Sequence, residues 1–488
     1  MKRQRRHLRW FSAIAVLALV LSACAPAAPP TNTPAPAKPA AAEPTKPAAV
    51  AAPTEAPKPT AAAAATKPAE PTKPAAAAAA PTNTPAAAAA TKPAEATKPA
   101  AAASGAGTPN TIKIVSSLPR TGSNKPQTDT IINAFKMALE EVNNKVGSFT
   151  VVYEDWDDAT AAKGSWDAGK EAENANKAVG DADTMVYIGT FNSGAAKVSI
   201  PILNQANMVM ISPANTYPGL TKPGTGEANE PKVYQPSGKP NYSRVVPADD
   251  LQGAVAATWA KELGAKSVYV LDDTELYGKG IATVFTNTAK KVGLEVKNNG
   301  GVSEGIDPKA SDYRALATKI KTTNPDLIFF GGITQNNAGK LWKDIRNVLG
   351  DNVKLMGPDG IAEEAWIKDA GDAAEGTYIT FGGLPATKLS GPGKAWYDKY
   401  KAKYNGEPEV YAVYGYESMK LALDAIERAG KKDRGAIRDA VFGTKDFSKG
   451  ALGTWSLDAN GDTTLTTMSG QQVKAGKFEF VKELKAAT

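Results

Sequence analysis

The sequence predicts an α/β fold of two doubly wound lobes, each a parallel sheet with helices on both faces. Three observations carry that expectation. From Thr111 onward, short β-branched runs alternate with amphipathic stretches, the pattern of parallel strands joined by helical crossovers. That region is about 380 residues long, more than one hydrophobic core comfortably serves, so two lobes are favoured. The single cysteine of the 488 residues, Cys24, lies upstream of it. No disulfide can support the folded part, which has to rest on its buried core.

The first strand is TIKIVSSL (111–118). In DTIINAFKMALEEVNNKV (129–146), Ile132, Phe135, Leu139 and Val142 recur at helical spacing behind Asp129, a candidate N-cap. FTVVYEDW (149–156) returns to strand, and a polar helix is expected over 160–179. TMVYIG (184–189), a helix from Ser193 and the strand MVMISP (208–213) follow. The Gly- and Pro-rich segment from Tyr217 to Tyr242 reads as an irregular surface excursion. Beyond it come a helix over 249–263, the strand SVYVLDD (267–273), a helix over 278–292 and the strand LIFFGGI (327–333). A helix over 337–349 and the strands VKLMGPDG (353–360) and TYITFGG (377–383) complete the main series. Sheets of this kind bind ligands at the carboxyl ends of their strands, where the connections diverge.

The N-terminal part has a different texture. Lys2, Arg3, Arg5, Arg6 and Arg9 precede an apolar run, Phe11 to Leu21, that is short for a membrane span and reads as an export signal. Leu-Ser-Ala-Cys (21–24) resembles the bacterial lipobox, which implies cleavage before Cys24 and lipidation of its sulfur. An ordinary signal with an incidental cysteine is the alternative. From Ala25 to Thr108 the chain is almost entirely Ala, Pro, Thr, Lys and Glu, with TKPA recurring five times. It has nothing large and apolar to bury, so it reads as a semi-extended tether that lets the folded part stand off a membrane. The charge follows the same division. Of the net +7, five positive charges lie in the signal and a net three in the tether, which leaves the remainder at −1. A near-neutral folded part lacks the electrostatic footprint of a nucleic-acid binder.

Much chemistry is excluded. The only histidine is His7, inside the signal, so the mature chain lacks imidazole as well as free thiol. Ser-His-Asp and Cys-His catalysis and His/Cys zinc sites have no residues to build on. Neither a Walker A pattern nor a Gly-x-Gly-x-x-Gly turn occurs, so no cofactor is implied. The acidic pairs Glu154-Asp155 and Asp157-Asp158 read as solvated charge at a strand end, and DANGD (458–462) as a hairpin turn.

Five segments, GTFNSGAAK (189–197), ISPANT (211–216), DDTELYGKG (272–280), IFFGGI (328–333) and GPDG (357–360), are ordered and spaced as in one family. Together they resemble the type I periplasmic binding proteins, most closely the leucine/isoleucine/valine-binding group of ABC importers. The resemblance implies two α/β lobes joined by three crossovers and closing on a small solute. Lobe 1 would comprise 110–246 plus 379–455, and lobe 2 247–378 plus 456–488, behind a signal over 1–23 and a tether over 24–109. It implies that Ser193, Ala214 and Thr216 hold a ligand carboxylate and part of its ammonium. Asp359 then pairs with the ammonium and Tyr277 lies against the amino-acid backbone. Ser193 at a helix start has the physical means to receive an anion, although a plain N-cap fits it too. An ordinary turn aspartate is the alternative for Asp359, and local packing the alternative for Tyr277. The family often has aromatics where this chain has Ile333 and near Gln127, so Phe191 and Trp156 are candidates for replacement apolar surface.

The expected function is a lipid-anchored, monomeric, extracytoplasmic solute-binding protein. It would capture branched-chain or other apolar amino acids and deliver them to an ABC permease without catalysing a reaction. Alternatives are the same fold binding an amide, urea or aromatic acid, or a sensor that passes its closed form to a receptor.

Overall fold

The computed structural model describes residues 107–485. Cys24, the signal and all of the tether up to residue 106 lie outside the described residues.

Two sheets organise the chain. In the first, Thr111–Leu118 lies between Phe149–Asp157 and Thr184–Gly189, followed outward by Val209–Ser212 and Tyr242–Arg244, all parallel. In the second, Ser267–Asp272 lies between Glu295–Val296 and Leu327–Gly331, followed by Lys354–Gly357 and Tyr378–Gly382, again parallel. The hairpin Met468–Lys474 and Lys477–Leu484 adds two antiparallel strands to that edge. Central strands such as Thr184–Gly189 and Ser267–Asp272 are buried at every residue because helices cover both faces.

The chain passes between the sheets three times. It leaves the first after Arg244, and the return falls after Gly382 rather than at 378/379. Tyr378–Gly382 is a full member of the second sheet, pairing with Lys354–Gly357 on one side and Met468–Lys474 on the other. The last passage likewise falls after Asp462 instead of at 455/456. Asp462 bridges to Arg244 at the edge of the first sheet, and its carboxylate receives the buried Arg244 guanidinium at 2.6 Å. Asp458 and Asp462 close the DANGD hairpin through Asp458 N–H to Asp462 carbonyl at 2.8 Å. Between these passages the helices Pro392–Tyr404, Ala412–Ala429 and Arg434–Phe442 return to the first lobe, where Ala412–Ala429 packs on Lys125–Glu141.

Several local expectations shift. The first helix runs over Lys125–Glu141, with Pro126 in its first turn, where a missing N–H costs nothing. Asp129 is therefore inside the helix and engages Arg120 and Lys125, both at 2.6 Å. The stretch 160–179 is not one helix. Ala159–Thr160 and Ser165–Trp166 form a small hairpin, and the helix begins at Ala168 behind Asp167, whose carboxylate accepts from Gly169 and Lys170 N–H. Asp158, expected in solvent, is fully buried near Glu171.

The segment from Tyr217 to Tyr242 is well tied down. Glu230, buried within it, accepts hydrogen bonds from the hydroxyls of Tyr217 and Tyr234 and from Glu227 N–H. Lys222 reaches Asp250 at the start of the second lobe's first helix, at 2.8 Å. The Tyr217 ring lies against Gly280 of the second lobe so closely that a Cβ there would stand 2.6 Å from it. This segment therefore touches both lobes.

Candidate functional site

The carboxyl ends of the two sheets face each other across a cavity with about 440 Å³ of space free of protein atoms, its solvent mouth included. From the first lobe, Phe191, Ser193, Ala214 and Thr216 line it. From the second come Tyr277, Ile333 and Asp359. All seven follow the end of a parallel strand, which is why separate parts of the chain converge here.

The first-lobe wall is receptive to an anion. Ser193 is the first residue of the 13-residue helix Ser193–Gln205, and the Asn192 side chain makes no capping hydrogen bond. The helix start therefore presents N–H groups with the positive end of its dipole. The Ser193 hydroxyl accepts from Tyr217 N–H at 3.4 Å, tying the helix start to the turn after Val209–Ser212. In that turn the Ser212 hydroxyl accepts from the N–H groups of Ala214 and Asn215, at 3.1 and 2.8 Å, which sets the position of Ala214.

The second-lobe wall is receptive to a cation. Asp359 is 5 % exposed and follows Lys354–Gly357. Its Oδ1 accepts from Gln252 Nε2 and from the Tyr277 hydroxyl, each at 2.7 Å, and its Oδ2 from the Tyr411 hydroxyl. The Tyr277 oxygen in turn accepts from Gly360 N–H at 3.0 Å, which directs its proton to Asp359. Burial pushes the Asp359 carboxyl above its ordinary range, against the pull of these three donors. Behind Thr216, Asp249 is wholly buried, with the Thr216 side chain as its one nearby donor among the described residues. Burial and the charge of Asp359 push it well up. Two desolvated carboxylates thus stand together, while among the described residues no lysine, arginine or histidine lines the cavity. That arrangement is costly until a cation arrives.

Several lining residues were not anticipated. Tyr411, the N-cap of Ala412–Ala429, enters from the C-terminal return, its ring edge-on to Phe191 at 5.5 Å and to Phe381 at 5.3 Å. The extra aromatic surface comes from Trp166 and not Trp156. Trp156 packs with Val115 and Tyr187 in the first-lobe core, under Lys177 at 3.9 Å. Trp166 ends the second strand of the small hairpin, paired with Ala159, and lies against Gly194, where a Cβ would stand 2.6 Å from the indole. Gly164, with φ +64, and the Asp167 cap were the available signals of that turn. Gln127 is buried in the first helix, away from the cavity lining. Asn192 and Glu275 also line the cavity, and the buried Asn192 Oδ1 has no partner among the described residues.

Comparisons with known proteins agree with this architecture. A family model described as periplasmic binding protein matches residues 111–477. A Leu/Ile/Val-binding protein of Rhizobium johnstonii is 32% identical over 365 residues, covering 74% of this chain and 91% of the relative. The crystal structure of a leucine binding protein from Thermotoga maritima superposes with a TM-score of 0.67 at 27% identity, covering 77% of this chain and 99% of that one. A branched-chain amino acid substrate-binding protein of Streptococcus pneumoniae, in complex with isoleucine, gives 0.65 at 27% identity over the same shares. A solute binding protein from R. palustris in complex with benzoate shares the fold, with a TM-score of 0.64 at 19% identity, over 77% of this chain and 97% of that one. On this ground, and on the two-lobed topology, the chain belongs to the type I periplasmic binding proteins, in their Leu/Ile/Val-binding group.

Proposed function

We propose that the chain captures an α-amino acid between its lobes and delivers it unaltered to an ABC permease. One observation carries this reading: a helix start able to receive a carboxylate and a buried carboxylate able to receive an ammonium share one cavity that, among the described residues, no cationic side chain lines. The ligand's carboxylate would meet Ser193 and the adjacent N–H groups, and its ammonium Asp359, Thr216 and the Ala214 carbonyl. Its side chain would rest on Phe191, Ile333, Trp166 and Tyr411. A molecule touching both walls favours the closed arrangement, and its differential affinity for that arrangement sets how far the lobes shut. The relatives' ligands make branched-chain amino acids the first candidates. An aromatic acid such as benzoate would find its carboxylate site but would leave Asp359 without a counter-ion.

No catalytic step is assigned, since the chain beyond His7 has no imidazole and beyond Cys24 no thiol. Among the described residues no helix is long and apolar enough to cross a membrane. The lipobox-like segment before Cys24 supports anchoring through lipid on the outer side of a membrane, and Cys24→Ser should then move the protein from the membrane to the soluble fraction. Unchanged fractionation would exclude the anchor. The ligand assignment is tested by a thermal-shift and calorimetric panel of amino acids, amides and aromatic acids, since a ligand that binds only the folded form raises its Tm. Binding confined to acids without an ammonium would overturn it.

A further inference from the structure

The cavity holds one charged group to which an apolar amino acid offers nothing. Glu275 lines it from the second lobe, half-buried, at the N-cap of Leu276–Lys291. Its carboxylate caps no N–H of that helix. Lys163, the cation whose charge it feels from across the cleft, is paired with Asp167 at 2.9 Å. The position of Glu275 is nonetheless set by the structure. Asp273 accepts from Glu275 N–H and from Ile333 N–H, each at 3.1 Å, and from Asn336 Nδ2 at 2.8 Å. One buried carboxylate therefore holds together the two loops that present Glu275 and Ile333. Tyr277, two residues after Glu275, lines the same cavity and donates its hydroxyl to Asp359 at 2.7 Å. Phe191, Ile333, Trp166 and Tyr411 line the same cavity.

We propose that Glu275 is a specificity-determining residue that receives the far end of the ligand's side chain. It would select an α-amino acid whose alkyl stem ends in a hydrogen-bond donor, an ammonium first and a carboxamide second, over one with a wholly apolar tail. The inference rests on the amino-acid reading above and names the class of side chain. An apolar tail pressed against Glu275 strips water from a carboxylate and returns nothing, whereas a terminal ammonium returns a charge-assisted hydrogen bond. The apolar walls suit the methylene stem of such a residue, which buries its carbons while its tip stays polar.

The test is calorimetry on the full chain with leucine, glutamine, ornithine and lysine, for the wild type, Glu275→Gln and Glu275→Leu. The wild type is expected to bind at least one of the three polar-tailed ligands more tightly than leucine. Glu275→Gln should weaken lysine and ornithine roughly tenfold relative to leucine, about the share of one hydrogen bond to a charged group, while leucine itself binds no more weakly than to the wild type. Glu275→Leu should tighten leucine. Leucine bound more tightly by the wild type than all three others, or a leucine-to-lysine ratio that Glu275→Gln does not move, overturns the assignment. If leucine alone binds, only the role of Glu275 fails. If no amino acid binds, the reading of the whole site fails with it. A structural role at the helix start would lower Tm in Glu275→Gln without changing the affinity ratio.

Discussion

Replacing Asp359 by asparagine removes one negative charge and almost no volume. The amide oxygen can keep the hydrogen bonds that Gln252 and Tyr277 now donate at 2.7 Å. The new amide N–H can donate to Tyr411, whose hydroxyl turns from donor to acceptor. Without ligand the variant has lost a desolvated carboxylate that stands near the buried Asp249, so its Tm should stay level or rise. With an amino acid the effect reverses, because the ammonium now enters the cleft without its charged partner. Removing one member of a buried, hydrogen-bonded charge pair costs about 2–5 kcal/mol, or roughly 30-fold to several thousand-fold in Kd. The assay is calorimetric titration with leucine, or with whichever amino acid binds the wild type best, beside a thermal melt of the free protein. Benzoate serves as the control, since an acid without an ammonium should bind the variant at least as well as the wild type. Amino-acid affinity within about threefold of the wild type, in a protein that melts normally, would refute the argument. A collapse of Tm would instead mark Asp359 as a structural residue.

Two further outcomes follow from the same geometry. Gly194→Ala places a Cβ 2.6 Å from the Trp166 indole, which has to move from its place in the cavity wall. Ligand affinity should fall by about tenfold, and unchanged affinity would show that Trp166 forms no part of the wall. The pH dependence of stability comes from carboxyls raised by burial: Asp273, Glu363 and Glu417 are each pushed up to about 7. The folded form therefore holds protons that the unfolded chain releases near its ordinary values of 3.8 and 4.5. The stability they contribute is full below those values and is lost as the pH rises through 7. Carboxyls held low by lysine and arginine partners, such as Asp129 and Asp424, contribute stability that is constant above their ordinary value of 3.8 and is lost only as the pH falls below it. The Tm of the ligand-free protein should thus fall between about pH 5.5 and pH 8, and a rise across that window would contradict the assignment.

Much of the site was legible because its residues sit at strand ends that the local pattern reveals. Ser193 follows the buried run TMVYIG, Thr216 follows MVMISP, and Asp359 follows VKLMG; each run is apolar because helices cover both faces of its sheet. Trp166 was obscured by a polar stretch that reads as helix, although the Gly164 turn and Asp167 cap break it. Tyr411 had no local signal. Its place in the cavity depends on a chain that leaves the second sheet after Gly382 and comes back to the first lobe. The burial of Asp158 was equally invisible, since the sequence around it is strongly acidic.

The order of the main strands and helices from Thr111 to Gly383, apart from the stretch 160–179, the absence of disulfides from the folded part and its lack of histidine and cysteine belong to the sequence alone. These depend on residue type and spacing, which local periodicity and composition express directly. Only the tertiary structure decided where the chain changes lobes, that the buried Asp249 stands near Asp359, and that Glu275 shares the cavity of Asp359. The physical reason is desolvation. Whether a carboxylate is an ordinary surface charge or a receptor for a cation depends on what surrounds it, and here the surroundings come from segments more than a hundred residues apart.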